Sequence, residues 1–91
     1  MSVKVRMFYP QLQSLFDDPD DVRVEGQTVG ECLEDLMQRY PEARGLLFSG
    51  HGVLLRHVYV FVNAEGMSKA EMTKPVRDQD QLLIAVLASG G

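Results

Sequence analysis

Few residues in this chain could do chemistry. His51 and His57 are its two histidines and Cys32 its one cysteine. A metal centre needs three or four convergent ligands, so surface carboxylates would have to supply most of one, and no metal site is expected. Cys32 follows Val29 by three residues and precedes Leu36 by four, on the apolar face of a helical pattern, the place of a packed thiol and not of a nucleophile. His51 stands between Gly50 and Gly52 at a loop tip, His57 opens a strand-like run, and neither has the neighbours of a triad. Gly50-His51-Gly52 lacks the spacing of a phosphate loop, and Asp17-Asp18-Pro19-Asp20-Asp21 lacks the alternating carboxylates, glycine and distal glutamate of a calcium loop. What remains is Gly90-Gly91, directly after a strongly apolar run. Two glycines make the thinnest possible peptide, able to extend into a narrow active site with backbone angles that other residues avoid. A Gly91 carboxylate would be ionised at pH 7 and resistant to nucleophiles. It therefore needs ATP-dependent adenylation before sulfide, thiol or amine can add. The expectation is a substrate of other enzymes, with no bound cofactor and ATP consumed by the activating partner.

The rest of the chain must position that end. Its 91 residues, 45% hydrophobic, fit one domain spanning 1–91 with a flexible tail at 88–91. Nine basic residues against 13 acidic, net charge -4, and no basic cluster argue against nucleic acid. No apolar run approaches the roughly twenty residues that span a bilayer, residues 1–10 carry no apolar leader pattern, and a single cysteine suits a reducing compartment, so the expected location is cytoplasmic.

Val3, Val5, Met7 and Tyr9 alternate with Lys4, Arg6 and Phe8, the period of a half-buried strand ended by Pro10. Residues 10–16 read as loop and the acidic run after them as a turn, leading to a second alternation at Val22-Arg23-Val24-Glu25 and hence an antiparallel pair. Thr28 and Glu31 fit a capping box, with Glu31 reaching back to the N–H of Thr28, and Val29, Cys32, Leu33, Leu36, Met37 and Tyr40 then recur at helical spacing until Pro41. Residues 41–56 predict an irregular crossing with one helical turn near Ala43. Residues 57–63 predict a central strand, and 81–87 a final strand after the polar turn Arg77-Asp78-Gln79-Asp80. The order is ββαββ.

That order, the Thr28 cap, the Asn63 turn, the Arg77–Asp80 turn and the terminal Ala88-Ser89-Gly90-Gly91 together resemble the ubiquitin-like β-grasp sulfur carriers. This family includes the small subunit of molybdopterin synthase, the thiamine-pathway sulfur carrier and a carrier for cysteine synthesis. The resemblance implies an α+β fold, a mixed sheet of four to five strands packed on one main helix. It also implies that Gly91 is adenylated by an E1-like enzyme and becomes a thiocarboxylate, with Gly90 keeping the tail thin. Sulfur would then pass to a sulfur-acceptor synthase subunit in cofactor or cysteine biosynthesis, so the chain is not itself an enzyme, though it could be a synthase's small subunit. Two departures from the family pattern are Val86-Leu87-Ala88-Ser89, where molybdopterin-type members often carry prolines, and Gln79, where a glycine usually separates the two acids. The crossing and the run from Leu55 to Glu65 most resemble the cysteine-pathway carrier. Alternatives are a modifier joined through Gly91 to target lysines, and a plain β-grasp interaction module.

Strand parity also predicts a partner surface. With Val58, Val60, Val62, Leu82, Ile84 and Val86 facing the helix, Phe8, Tyr59, Phe61, Leu83 and Leu87 fall on the other sheet face, an apolar patch leading to the tail. The activating enzyme is expected to dock there, steered by acidic residues near the rim. The competing expectation is that the crossing at 41–56, or a dimer, covers the face.

Overall fold

The structure is a computed structural model of the chain and describes residues 2–63 and 72–86. The alternation at the start builds β1 (Val3–Phe8), whose Val3, Val5 and Met7 are buried. The second alternation builds β2 (Val22–Val24), antiparallel to β1 with Val3 opposite Val24 and Val5 opposite Val22.

Between these strands residues 10–16 are not all loop. Pro10–Gln13 form a single helical turn, α1, with Pro in the first turn, where its missing N–H costs nothing. The N–H of Gln13 donates to the Tyr9 carbonyl (2.9 Å), and Leu12 is fully buried. Burial of Leu12 and Phe16 outweighs the weak local propensity of a four-residue helix.

The main helix, α2 (Val29–Arg39), starts where the capping pattern places it, with Thr28 Oγ1 accepting from the Glu31 N–H at 3.1 Å. The reciprocal half of the box is displaced by one residue: Glu31 Oε1 accepts from Gln27 N–H (2.9 Å), not from Thr28. Val29, Cys32, Leu33, Leu36 and Met37 are buried on one stripe. At the C-terminal end Arg39 pairs with Asp35 (3.1 Å) and Glu25 (3.6 Å) and donates to the Arg23 carbonyl, so the helix end is tied to the strand β2 and the residue after it. The crossing contains α3 (Ala43–Leu47), followed by the bridge between Phe48 and Leu54.

β3 (Val58–Val62) and β4 (Gln81–Val86) complete a four-stranded mixed sheet of order β2-β1-β4-β3. β4 is central, parallel to β1 and antiparallel to β3, which makes β3 an edge strand and not the central one. Its near-continuous apolar character has another cause. The inward Val58, Val60 and Val62 fill the core, and the outward Tyr59 and Phe61 belong to the opposite sheet face. The core lies between the sheet and the helical layer.

Candidate functional site

β1 and β4 run in the same direction, and β4 points the chain toward Gly90-Gly91 from the middle of the sheet. Gly90, Gly91 and Leu87 themselves lie outside the described residues, as do Ala88, Ser89 and the Ala64-Glu65-Gly66 part of the turn after β3. The last described residues of β4, Ala85 and Val86, belong to the sheet whose outer face forms a platform.

The registers order the outer face of that platform in rows. Nearest the end of β4, Phe8 lies opposite Ala85, and Ala85 opposite Tyr59. In the next row Arg6 lies opposite Leu83 and Leu83 opposite Phe61; in the third, Lys4 lies opposite Gln81 and, on its other side, Arg23. Phe8 is 58% exposed, whereas Tyr59, Phe61 and Leu83 are half-buried. The rings of Tyr59 and Phe61 stack nearly parallel, 10° between planes at a centroid distance of 6.5 Å. Such stacking lets the two shield each other's faces from water while their outer surfaces stay available.

The apolar residues of the crossing pack inward. Leu46, Phe48, Leu54 and Leu55 pack against the core, and Tyr9 Oη, on the inward side of β1's continuation, donates to the Leu46 carbonyl at 2.9 Å. The crossing therefore belongs to the helical layer. The rim carries both signs: Asp21 pairs with Arg23, and Asp78 lines the cleft beside Lys4 and Arg23. The outward side chains of β1 and β2 flanking the apolar rows are Lys4, Arg6 and Arg23, while α2 on the other layer carries Glu31, Glu34 and Asp35.

The start of β4 is fixed by a polar lock. Asp80 Oδ2 accepts from the Arg77 N–H (2.8 Å) and Asp80 Oδ1 from Asn63 Nδ2 (3.1 Å), while Asn63 Oδ1 accepts from the Gln81 N–H (2.8 Å). These bonds hold the Asp80 carboxyl below the ordinary carboxylate range, the Arg77 N–H contributing most. Asn63 and Gln79 both adopt left-handed backbone, φ 57° and 75°. That conformation explains why a glycine suits the position between Asp78 and Asp80. Sequence reasoning singled out both turns but not the bonds joining them, which appear only once β3 and β4 are paired.

Cys32 is fully buried, and burial, with Asp35 and Glu31 adding to it, pushes its thiol up to about 11. A thiol so protonated and enclosed is a core residue. His51 and His57 are exposed, His57 meeting Tyr9 edge-on at 6.4 Å. Among the described residues no cluster of His, Cys, Asp or Glu could hold a metal ion, and no helix is long and apolar enough to cross a membrane.

A mixed sheet closing over one long helix, with its central strand directed at the tail, is the architecture of ubiquitin-like β-grasp proteins. SAMP1 from Haloferax volcanii superimposes with TM-score 0.82 at 26% identity over 100% of both chains. A chain of the Amycolatopsis orientalis BexX/CysO complex does so with TM-score 0.74 at 28% identity, covering 96% of this chain and 99% of that one. Mycobacterium tuberculosis CysO, at 24% identity and TM-score 0.74 over 93% of this chain and 100% of its own, shares the fold. No curated protein matches. The ThiS family matches residues 8–91, and the chain belongs to that family, within the ubiquitin-like β-grasp sulfur carriers.

Proposed function

We propose that this protein carries sulfur on its C-terminal Gly91. In this reading an E1-like enzyme joins the Gly91 carboxylate to the α-phosphorus of ATP with loss of pyrophosphate. Sulfide then displaces AMP, and the resulting thiocarboxylate passes its sulfur to an acceptor synthase in cofactor or cysteine biosynthesis. The chain is a substrate and donor, not an enzyme. The activating enzyme rests on Phe8, Tyr59, Phe61 and Leu83, with Leu87 and the glycines continuing into its active site. The observation that carries the reading is the ThiS family match, which runs through Gly90-Gly91. A second support is that the CysO relative occurs in a complex with another protein, BexX.

Intact mass tests it. Incubation with ATP, the host's adenylating enzyme and a sulfur donor should raise the mass by about 16 Da, one oxygen exchanged for sulfur, and deletion of Gly90 and Gly91 should abolish the change. An unchanged mass would reject the reading. The Haloferax volcanii neighbour bears the name small archaeal modifier protein 1, which favours a second reading, conjugation of Gly91 to target lysines. High-mass conjugates in place of the small increment would select it.

A further inference from the structure

We propose that Lys4, Arg6 and Arg23 are the charge-reading part of the docking face, and that they select an activating enzyme whose contact surface places carboxylates beside an apolar centre. This rests on the proposed carrier function and adds to it which partner surface is accepted.

Three observations carry the inference. Lys4 and Arg23 lie directly opposite each other across the antiparallel β1–β2 pair, an arrangement of like charges that opposes pairing. Arg6 is the next outward residue of β1, so three cations share one side of the sheet in a chain whose net charge is -4. Their compensation within the chain is slight. Arg23 meets Asp21 at 3.5 Å with both side chains more than 60% exposed, and Lys4 and Arg6 make no ion pair among the described residues. Asp78 lines the cleft beside Lys4 and Arg23 and accepts from the Ser2 N–H at 3.0 Å, but it forms an ion pair with neither cation.

A repulsive cluster of this kind is relieved by an anionic partner, and here it adjoins the apolar rows in register. Arg6 stands opposite Leu83, and Leu83 opposite Phe61. The apolar end of the face lies at the C-terminal end of β4 and the cationic end at its start, which gives the face a direction. A partner that matches both ends can dock only with the tail pointing one way, toward its active site. Nucleic acid fits less well, because three cations beside a stripe of aromatic and aliphatic side chains offer little counterion release. Of the acids of α2, Asp35 is paired with Arg39 and Glu34 with Arg44, so their charges are matched within the helical layer.

Charge steering of this type acts on the association rate and is screened by salt. Stopped-flow association of the full chain with the host's adenylating enzyme should show a rate that falls as sodium chloride rises. Lys4→Glu/Arg6→Glu should lower that rate about tenfold or more at low salt, converge on the wild type at high salt and leave dissociation little changed. Arg44→Glu/Lys74→Glu shifts net charge equally, at a residue of α3 and at one whose carbonyl accepts from the start of α2, and should reduce the rate far less. Circular dichroism should show both variants folded.

Equal rates and equal salt slopes for the Lys4/Arg6 variant and the wild type would overturn the proposal while ATP–pyrophosphate exchange with the wild type still upheld the carrier reading. Absence of exchange with the wild type would reject that reading and this proposal with it. Two other outcomes would overturn it: capture of a single-stranded oligonucleotide at physiological salt, or a salt-sensitive dimer of the free chain, either one lost in the Lys4/Arg6 variant.

Discussion

At the scale of single residues, the chain concentrates its irregularities in one place. Gln79 holds φ 75° between Asp78 and Asp80, and a residue with a Cβ in that region gives up about 1–2 kcal/mol. Glycine there removes the clash but loses more chain entropy on folding, so the two effects partly offset. Gln79→Gly should therefore stabilise the domain by about 0.5–1 kcal/mol, read as a higher urea midpoint with an unchanged slope. A lower midpoint would mean that the Gln79 side chain does something beyond occupying the turn. Asn63, also left-handed, should not gain from the same change, because its side chain makes two of the bonds that lock β3 to β4. Cys32 illustrates the opposite case. Its spacing marked it as a core thiol, and its raised pKa and zero exposure agree with the sulfur of the proposed chemistry residing elsewhere.

At the scale of elements, the lock around Asp80 sets where β4 begins and hence which residues reach the outer face. Its pH dependence follows from the depressed carboxyl. The folded form favours the ionised group, so the contribution to stability is fully present above the ordinary carboxylate pKa of about 3.9 and is lost as pH falls below it through the lower folded value. Asp80→Asn should weaken the domain at pH 7 and flatten the acid limb of its stability curve, measured by urea unfolding at pH 7, 4 and 3. Parallel curves for the two proteins would show that other carboxylates govern acid unfolding. The same elements show how far the sequence was readable. Period-two alternation exposed β1 and β2 and the 3.6-residue stripe exposed α2, because each buries one face and exposes another, while β4 showed as a nearly continuous apolar run. α1 escaped because four residues carry no period, and it is held by burial of Leu12 and Phe16 and by bonds to the Tyr9, Pro10 and Met7 carbonyls. β3 was placed at the centre of the sheet because its outward Tyr59 and Phe61 looked like buried residues. The cationic flank escaped for a different reason: Lys4 and Arg6 were visible as outward residues, but Arg23 joins them only through the β1–β2 register.

At the scale of the whole molecule, the proposed function makes the domain a holder for the C-terminal glycines, and its two faces divide the work. One face packs β1–β4 on the helical layer and supplies stability; the other, through Phe8, Ala85, Tyr59, Leu83 and Phe61, is where the proposed partner must bind for the tail to be placed. A substitution on the second face should therefore separate folding from activation. Phe61 is the suitable probe, since it stacks on Tyr59 and lies opposite Leu83 while the core-facing Val60 and Val62 on either side are untouched. Phe61→Asp loses that stacking and some half-buried area, a cost of about 1–2 kcal/mol, which a folded domain of ordinary stability tolerates. It also puts an anion in the middle of the apolar rows, where docking would bury it without a partner at a cost of several kcal/mol. The domain should keep its circular dichroism and a cooperative melt, while ATP-dependent activation by the adenylating enzyme falls at least a hundredfold. A folded Phe61→Asp protein activated as fast as the wild type would remove this face from the proposed contact, and the tail alone would then have to account for recognition.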